Sequence, residues 1–423
     1  MPSPVDCTGL NSERAGVPDA ADRAVKSGRW PRAASWRRDL RQERPPSLSP
    51  AFYPGLDLLR GFAAITVVVY HVIEHFQWKG FPTGNPLALW FRLGWMGVDL
   101  FFVISGFVIA LSAFNLLERD RSRYARDFCR RRLARIVPLH YLTCLIFVLF
   151  LSPSLLFAGN FYRDALTHLS FTHNFHWVTN GSINGPNWSL GVEMQFYLLI
   201  LLAAPLVKRM KPMVLLAICV GVAWTWRAWV FAACCGEVRH GVIMTWFGVA
   251  QLPGFLDEFG MGIVLALVLH HDTEGRLDRF LRANRWLWLV AAAALGSLTM
   301  RLYWQDSAFW GNWTLVVFWR TLLGATFLLI VISVCAISNP WFLRLTAPMR
   351  YLGTISYGIY LWHMLVLLSL KPLLMAHPGR ACRWTVGLTL VLAALSWHFF
   401  EKPMLDRFSG RRVPAREATR CEE

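Results

Sequence analysis

Long apolar stretches recur along the chain at intervals that suit membrane-spanning helices. About 19 residues of helix cross a bilayer, and a window of that length finds about ten such stretches. The predicted spans are residues 57–76, 94–114, 136–152, 189–207, 213–233, 242–268, 286–304, 312–335, 350–372 and 384–402. The pattern predicts an all-α fold: a polytopic integral membrane protein of about ten transmembrane helices.

Composition supports the same class. Of the 423 residues, 55% are hydrophobic and only 16% are charged, and 21 are tryptophan. Such a balance is typical of a protein that lies in lipid. The nine cysteines are scattered and show neither zinc spacing nor a disulfide framework, so no metal site is expected.

The net charge of +17 first suggests a nucleic-acid partner, but its distribution along the chain argues against one. Arginines and lysines are concentrated in alternate loops between the predicted spans. They are Arg119, Arg121, Arg123, Arg126, Arg130, Arg131, Lys208, Arg209, Lys211, Arg276, Arg279, Arg282, Arg285, Arg344 and Arg350. By the positive-inside rule both termini are predicted to be cytoplasmic, and the expected partner is the lipid bilayer rather than nucleic acid.

The chain divides into three predicted regions. Residues 1–50 are rich in Arg, Pro, Ser and Ala without apolar periodicity, which favours a disordered basic cytoplasmic extension. Residues 51–405 form the transmembrane domain, and residues 406–423 form a basic cytoplasmic tail.

The first span carries an arginine and a histidine on one helix face. Arg60 and His71 are separated by ten residues, so their side chains point in nearly the same direction about 16 Å apart. A charged group inside lipid costs at least about 2.5 kcal/mol, so such residues usually have a function.

A first layer of polar residues is predicted near the outer surface. In the predicted topology Asp99 and Glu193 lie at a depth similar to that of His71. A histidine with carboxylate partners has a fixed tautomer and can act as a base. The alternatives are a structural histidine, an Asp99 that pairs with an arginine, and a Glu193 that anchors the start of its helix.

A second, cationic layer is predicted near the cytoplasmic surface. Arg132 and Arg135 lie one helical turn apart at the start of the third span, and Arg60 is at a similar depth. Arginines on one helix face can hold phosphate oxygens with paired donors. The alternative is that these charges only set the topology.

Six short motifs in this chain resemble one family. They are "LDLLRGFAAITVVVYH", "GVDLFFVISGFVI", "RRRLARIVPLHY", "NWSLGVEMQFYL", "ISYGIYLWHMLV" and "FFEKP", which run in order from about residue 52 to 403. Their order and spacing resemble acyltransferase family 3, whose members are mostly bacterial inner-membrane enzymes. The resemblance implies transfer of an acetyl or other acyl group to a hydroxyl of a carbohydrate or similar acceptor, such as a surface polysaccharide.

The resemblance also implies roles for individual residues. His71 corresponds to the family's essential histidine and Arg60 to its partner, while Arg132 and Arg135 correspond to the pair that handles acyl-coenzyme A. Glu193 matches the acidic residue of the Trp-Ser-Leu motif. The second polar residue usually found beside it is replaced here by Met194 and Gln195. Acetyl-coenzyme A is then the expected co-substrate, with no bound cofactor.

The sequence therefore predicts a catalytic group of His71, Glu193 and Asp99, in which His71 acts as general base on the acceptor hydroxyl or itself takes the acyl group briefly. Asp57, Tyr357 and His363 are further candidates, either for acceptor contact or for a structural role. A proton-coupled transporter or exporter, with the outer polar layer as a proton relay and the arginines setting topology, is the alternative function.

Overall fold

The computed structural model describes residues 53–82, 84–234, 240–305, 309–335, 337 and 339–408. In these ranges all regular elements are helical, and ten helices are long and apolar enough to cross a bilayer, as predicted. The predicted extension at residues 1–50 and the tail beyond residue 408 lie outside the described residues.

We number these membrane-spanning segments α1 to α10. They are α1 (Pro54–His75), α2 (Gly94–Arg119), α3 (Tyr124–Leu151), α4 (Gly185–Val207), α5 (Pro212–Cys234), α6 (Leu252–His271), α7 (Arg285–Gln305), α8 (Trp313–Cys335), α9 (Ser356–Leu374) and α10 (Pro378–Phe408). Segment α3 begins twelve residues before the predicted span at residue 136, so the arginine-rich stretch that precedes it is already helical.

The predicted sixth span, residues 242–268, is wrong as a single helix. A helix at His240–Val249 ends before Gln251, and a turn at Leu252–Phe255 leads into the helix Leu256–His271. Gln251 is extended, with φ −103° and ψ 161°, and Pro253 cannot donate a backbone hydrogen bond. The side-chain amide of Gln251 donates to the Asn174 backbone carbonyl at 2.8 Å, which connects the break in the helix to another loop.

The basic loops meet at one end of the helix bundle. Lys208, after α4, forms an ion pair of 2.9 Å with Glu118 at the end of α2, and its carbonyl lies 3.1 Å from the His271 ring. We call this end the basic face. Its assignment to the cytoplasm stays a prediction from the positive-inside rule.

The centre of the bundle is a close crossing of α2 and α6. A Cβ on Gly106 would lie 2.2 Å from the Phe259 carbonyl oxygen, and one on Gly262 would lie 2.2 Å from that of Val103. Only glycine permits this backbone approach at either position. The crossing brings the first turns of α2, which carry Asp99, against α6, which carries Asp257 and Glu258.

Three buried histidines form a stack between α3 and the segment that precedes α4. The rings of His168 and His173 lie 4.3 Å apart and within 8° of parallel, and His140 lies about 6 Å from each. His168 donates from Nδ1 to the Asp164 carbonyl, and His173 donates from Nε2 to the Asn187 carbonyl, each at 2.8 Å. Burial lowers the pKa of His173 and lowers that of His168 to about 3.

This stack should make the segment around it less stable in acid. Below pH 6.5 the unfolded segment binds protons that the buried His168 does not, so stability falls by about 1.4 kcal/mol per pH unit, down to the folded pKa of about 3. Hydrogen exchange of residues 160–175, corrected for intrinsic rates, should show weaker protection at pH 5 than at pH 7.5. His168→Phe, which stacks but cannot bind a proton, should reduce the difference, and an unchanged difference would show that His168 does not cause it.

Candidate active site

Six of the nine predicted site residues line two neighbouring cavities, whereas Asp57, Arg132 and His363 line neither. The first, the arginine cavity, has a volume of about 90 Å³ and is lined by Arg60, Arg135, Glu193, Tyr197, Tyr357 and Tyr360, among others. The second, the histidine cavity, has a volume of about 320 Å³ and contains His71 and Asp99 in its wall. Val98 and Tyr360 line both cavities, so they lie between the two spaces.

Tyr360 is held firmly at this boundary. Its hydroxyl donates to the Pro186 carbonyl at 2.7 Å and lies 2.6 Å from the Ser189 hydroxyl. Ser189 itself lines the arginine cavity. The start of α4 and the second turn of α9 are therefore joined where the two cavities adjoin.

His71 is oriented by α1 and α9. Its Nδ1 lies 2.9 Å from the Val67 carbonyl, and because a carbonyl only accepts, Nδ1 carries the proton. The same nitrogen lies 3.3 Å from Nε2 of His363, whose own Nδ1 donates to the Tyr360 carbonyl at 2.6 Å. Two neutral rings satisfy all of these contacts, and the Nε2 lone pair of His71 is then left to accept a proton.

The expected contact between His71 and a carboxylate is not found among the described residues. Asp99 lines the same cavity as His71, but its carboxylate is paired with the Arg320 guanidinium from α8. Glu193 accepts hydrogen bonds from Ser105 at 3.0 Å and from Tyr197 at 2.7 Å, and it lines the arginine cavity instead. The shared depth predicted for the three residues did not determine which helix faces meet.

The three predicted donor-binding arginines lie together without carboxylate partners. Within the described part of the chain, none of Arg60, Arg132 and Arg135 is within ion-pair distance of an acidic group. The Arg132 guanidinium lies 5.7 Å from the centre of the Tyr197 ring, and its buried Nε has no hydrogen-bond partner. This cluster keeps donors available for an anionic ligand.

The remaining predicted residues have contacts that organise the site. The Tyr357 hydroxyl donates to the Ile136 carbonyl at 2.7 Å, which fastens α9 beside Arg135. His363 is fully buried against His71. Asp57 lies on α1 where its backbone packs on Gly353, so close that a Cβ on that glycine would lie 1.8 Å from the Asp57 carbonyl oxygen.

Sequence reasoning missed four charged residues inside the spans. Arg320 pairs with Asp99, and the Glu258 carboxyl interacts electrostatically with both. Arg227 forms a 2.7 Å ion pair with Asp257 that is completely inaccessible to solvent. Charges of opposite sign within apolar spans, in "TWRAWV", "FLDEFG" and "FWRTLL", were the available signal for them.

Comparison with known proteins gives the family. Residues 53–398, which contain both cavities and all of the predicted site residues, match a family described as an acyltransferase domain. The chain belongs to this acyltransferase family. No solved structure matches the chain.

Curated relatives of the chain are named O-acetyltransferases. It is 28% identical to a putative peptidoglycan O-acetyltransferase, YrhL, of Bacillus subtilis over 403 residues, which cover 86% of this chain and 57% of the relative. It is 27% identical to the peptidoglycan O-acetyltransferase OatA of Listeria monocytogenes over 391 residues, with the same two coverages. For the O-acetyltransferase OatA of Staphylococcus aureus the identity is 25% over 403 residues, with coverages of 84% and 58%. The chain thus spans little more than half the length of these relatives.

Proposed function

We propose that this protein is an O-acyltransferase of the bacterial inner membrane, which moves an acetyl group from cytosolic acetyl-coenzyme A to a carbohydrate hydroxyl. The acceptor is proposed to be a cell-surface polysaccharide, by similarity to relatives named for peptidoglycan. Neither donor nor acceptor is named by the family match itself.

One observation carries the proposal: an unpaired arginine cluster adjoins a cavity that contains a histidine with a free lone pair. Arg60 and Arg135 line one space, His71 lines the other, and Tyr360 borders both. Coenzyme A combines phosphates with a long, flexible arm that ends in the reactive thioester. Arginines would hold the phosphates and the arm would extend toward His71, which lies about 16 Å along α1 from Arg60.

The reaction follows from the tautomer of His71. Its Nε2 accepts the proton of the acceptor hydroxyl as the oxygen attacks the thioester carbonyl, and the C–S bond breaks in the collapse of the adduct. The leaving thiolate then takes up the proton from His71, which returns to its neutral form. The net change is one ester formed and one thioester consumed, with no further reactant required.

His363 and the Val67 carbonyl contribute by holding His71. Both contact Nδ1, so a protonated His71 would keep its Nδ1–H pointed at the same acceptors. The proton taken up on Nε2 would therefore not require the ring to turn. Pre-orientation of this kind reduces the reorganisation needed during the reaction.

Substitution of the arginine pair tests donor binding. Arg132→Gln or Arg135→Gln should raise the KM for acetyl-coenzyme A roughly ten- to a hundredfold, because each removes a charged hydrogen bond to phosphate. Initial rates of labelled acetyl transfer in isolated membranes, measured against donor concentration, give this value.

Arg131→Gln is the matched control. Arg131 neighbours Arg132 on α3 but is exposed, whereas Arg132 lies against the Tyr197 ring with a buried Nε, so substitution of Arg131 should leave the KM unchanged. An equal rise in KM for Arg131→Gln would show that the loop's overall charge attracts the donor, and not the cluster. A well-folded wild-type protein that consumes no acyl-coenzyme A would overturn the proposed function.

A further inference from the structure

The wall of the histidine cavity is largely aromatic. Six of its residues are Tyr70, Trp95, Trp188, Trp246, Tyr303 and Trp310. They come from α1, α2, α4, α7 and two connecting segments, and Trp188 and Trp246 meet edge to face with ring centres 5.8 Å apart. Flat aromatic walls with a few polar groups are suited to the apolar C–H faces of a sugar ring, with its hydroxyls held at the edges.

The aromatic residues are placed where a large ligand could reach them. Trp246 belongs to the helix His240–Val249 and Trp310 to the turn Phe309–Gly311, both at the end of the bundle away from the basic face. Trp188, Trp246 and Trp310 are each only partly buried. The cavity thus has its aromatic rim at the end opposite the arginine loops.

The charges in this wall cancel one another. Asp99 and Arg320 are its charged residues, and they are paired directly. The Arg320 guanidinium also lies 4.8 Å from the Phe255 ring centre, and the Glu258 carboxyl interacts electrostatically with both members of the pair. An anionic ligand would find no unpaired cation here, in contrast to the arginine cavity.

We propose that the histidine cavity is the acceptor site, and that it binds an uncharged sugar ring by stacking on its aromatic wall while the Asp99–Arg320 pair excludes anionic sugars. The inference rests on the proposed function, because His71 in this wall would take the proton from the bound hydroxyl. Membership of the family gives neither the location of the acceptor nor this charge rule, by which uncharged sugars bind and anionic sugars do not.

Protection from chemical labelling tests this without any acyl transfer. Trp310→Cys introduces a thiol at the rim, and maleimide modification of position 310 in the solubilised full-length protein is followed by peptide mass spectrometry. Chitotetraose, an uncharged oligosaccharide, should slow the modification in a saturable manner. A hyaluronan tetrasaccharide, similar in size but bearing carboxylates, should not slow it.

Further substitutions in the Trp310→Cys protein test the two parts of the proposal. Trp246→Ala should weaken protection by chitotetraose roughly two- to tenfold, as expected for loss of one stacked ring. Trp384→Ala, which removes an exposed tryptophan of α10, should leave it unchanged. Asp99→Asn removes the carboxylate that pairs directly with Arg320, leaving only Glu258 as an acidic neighbour, and should allow the hyaluronan fragment to protect.

Each result decides one point. If chitotetraose gives no protection, or if Trp246→Ala and Trp384→Ala behave alike, the cavity is not the sugar site. If both oligosaccharides protect equally, the charge rule is overturned. Acetyl transfer to a saccharide without protection of position 310 would support the acyltransferase function and show that the acceptor binds elsewhere. Protection without consumption of acyl-coenzyme A would support the sugar site and overturn the proposed acyltransferase function.

Discussion

His71→Gln should reduce acetyl transfer by roughly 10²- to 10⁴-fold, the usual contribution of a positioned general base. Glutamine keeps a polar side chain of similar reach but cannot accept a proton at neutral pH. The helix should remain intact, since the apolar side chains around His71 on α1, including Val67, Val68 and Val72, are buried. Incorporation of labelled acetyl in membranes, normalised to folded protein, measures the effect.

His75→Gln is the matched control for this experiment. His75 lies one turn further along α1, with its ring centre 6.3 Å from that of His71, and it does not line the histidine cavity. It should keep wild-type activity. Equal activity of His71→Gln and wild type would instead assign His71 a structural role.

His363 distinguishes positioning from chemistry at the same place. It contacts His71 Nδ1 but not Nε2, the nitrogen that carries the lone pair, so we regard it as a positioning residue. His363→Gln should lower kcat less than His71→Gln does. It should also leave the KM for acetyl-coenzyme A unchanged, because Arg132 and Arg135 are untouched.

The ten spans were predictable because each buries its own backbone hydrogen bonds and must be apolar over a fixed length. The sixth span shows where this reasoning fails. A hydropathy average is changed little by Pro253 and Gly254 within an apolar run. The helix nevertheless ends here, because Pro253 has no backbone N–H to donate, and the Gln251 side chain forms its hydrogen bond with Asn174 in a loop distant in sequence. That contact with Asn174 depends on tertiary structure that periodicity does not record.

The same limit applies to the candidate site. Arg60 and His71, separated by ten residues on one helix, line the walls of adjoining cavities. The predicted depth in the membrane suggested that Asp99 and Glu193 would face His71. Depth does not specify how each helix is rotated about its own axis, which decides the direction of its side chains. Arg320 pairs with Asp99 across 221 positions of sequence, and nothing local to either segment predicts which acidic residue it meets.

Removal of one partner from the buried Arg227–Asp257 pair should destabilise the protein strongly. Arg227 donates to the Gly254 carbonyl, to the Val317 carbonyl and to Asp257, and Asp257 also accepts from Thr321 at 2.6 Å. Helices α5, α6 and α8 are thus joined at a point without solvent. Arg227→Met leaves the Asp257 carboxylate unpaired, and we expect a loss of about 3–5 kcal/mol in the free energy of unfolding.

Detergent-induced unfolding, followed by circular dichroism, should show this loss and also identify its cause. Arg301→Met removes an exposed arginine from α7 and should change stability little, because Arg301 forms no ion pair in the part of the chain that the structure describes. If the loss of unfolding free energy comes from the unpaired Asp257 carboxylate, the double variant Arg227→Met with Asp257→Leu should be more stable than Arg227→Met alone. A double variant less stable than the single one would instead show that Asp257 stabilises the bundle through Thr321, and that the three helices are held by the carboxylate as much as by the pair.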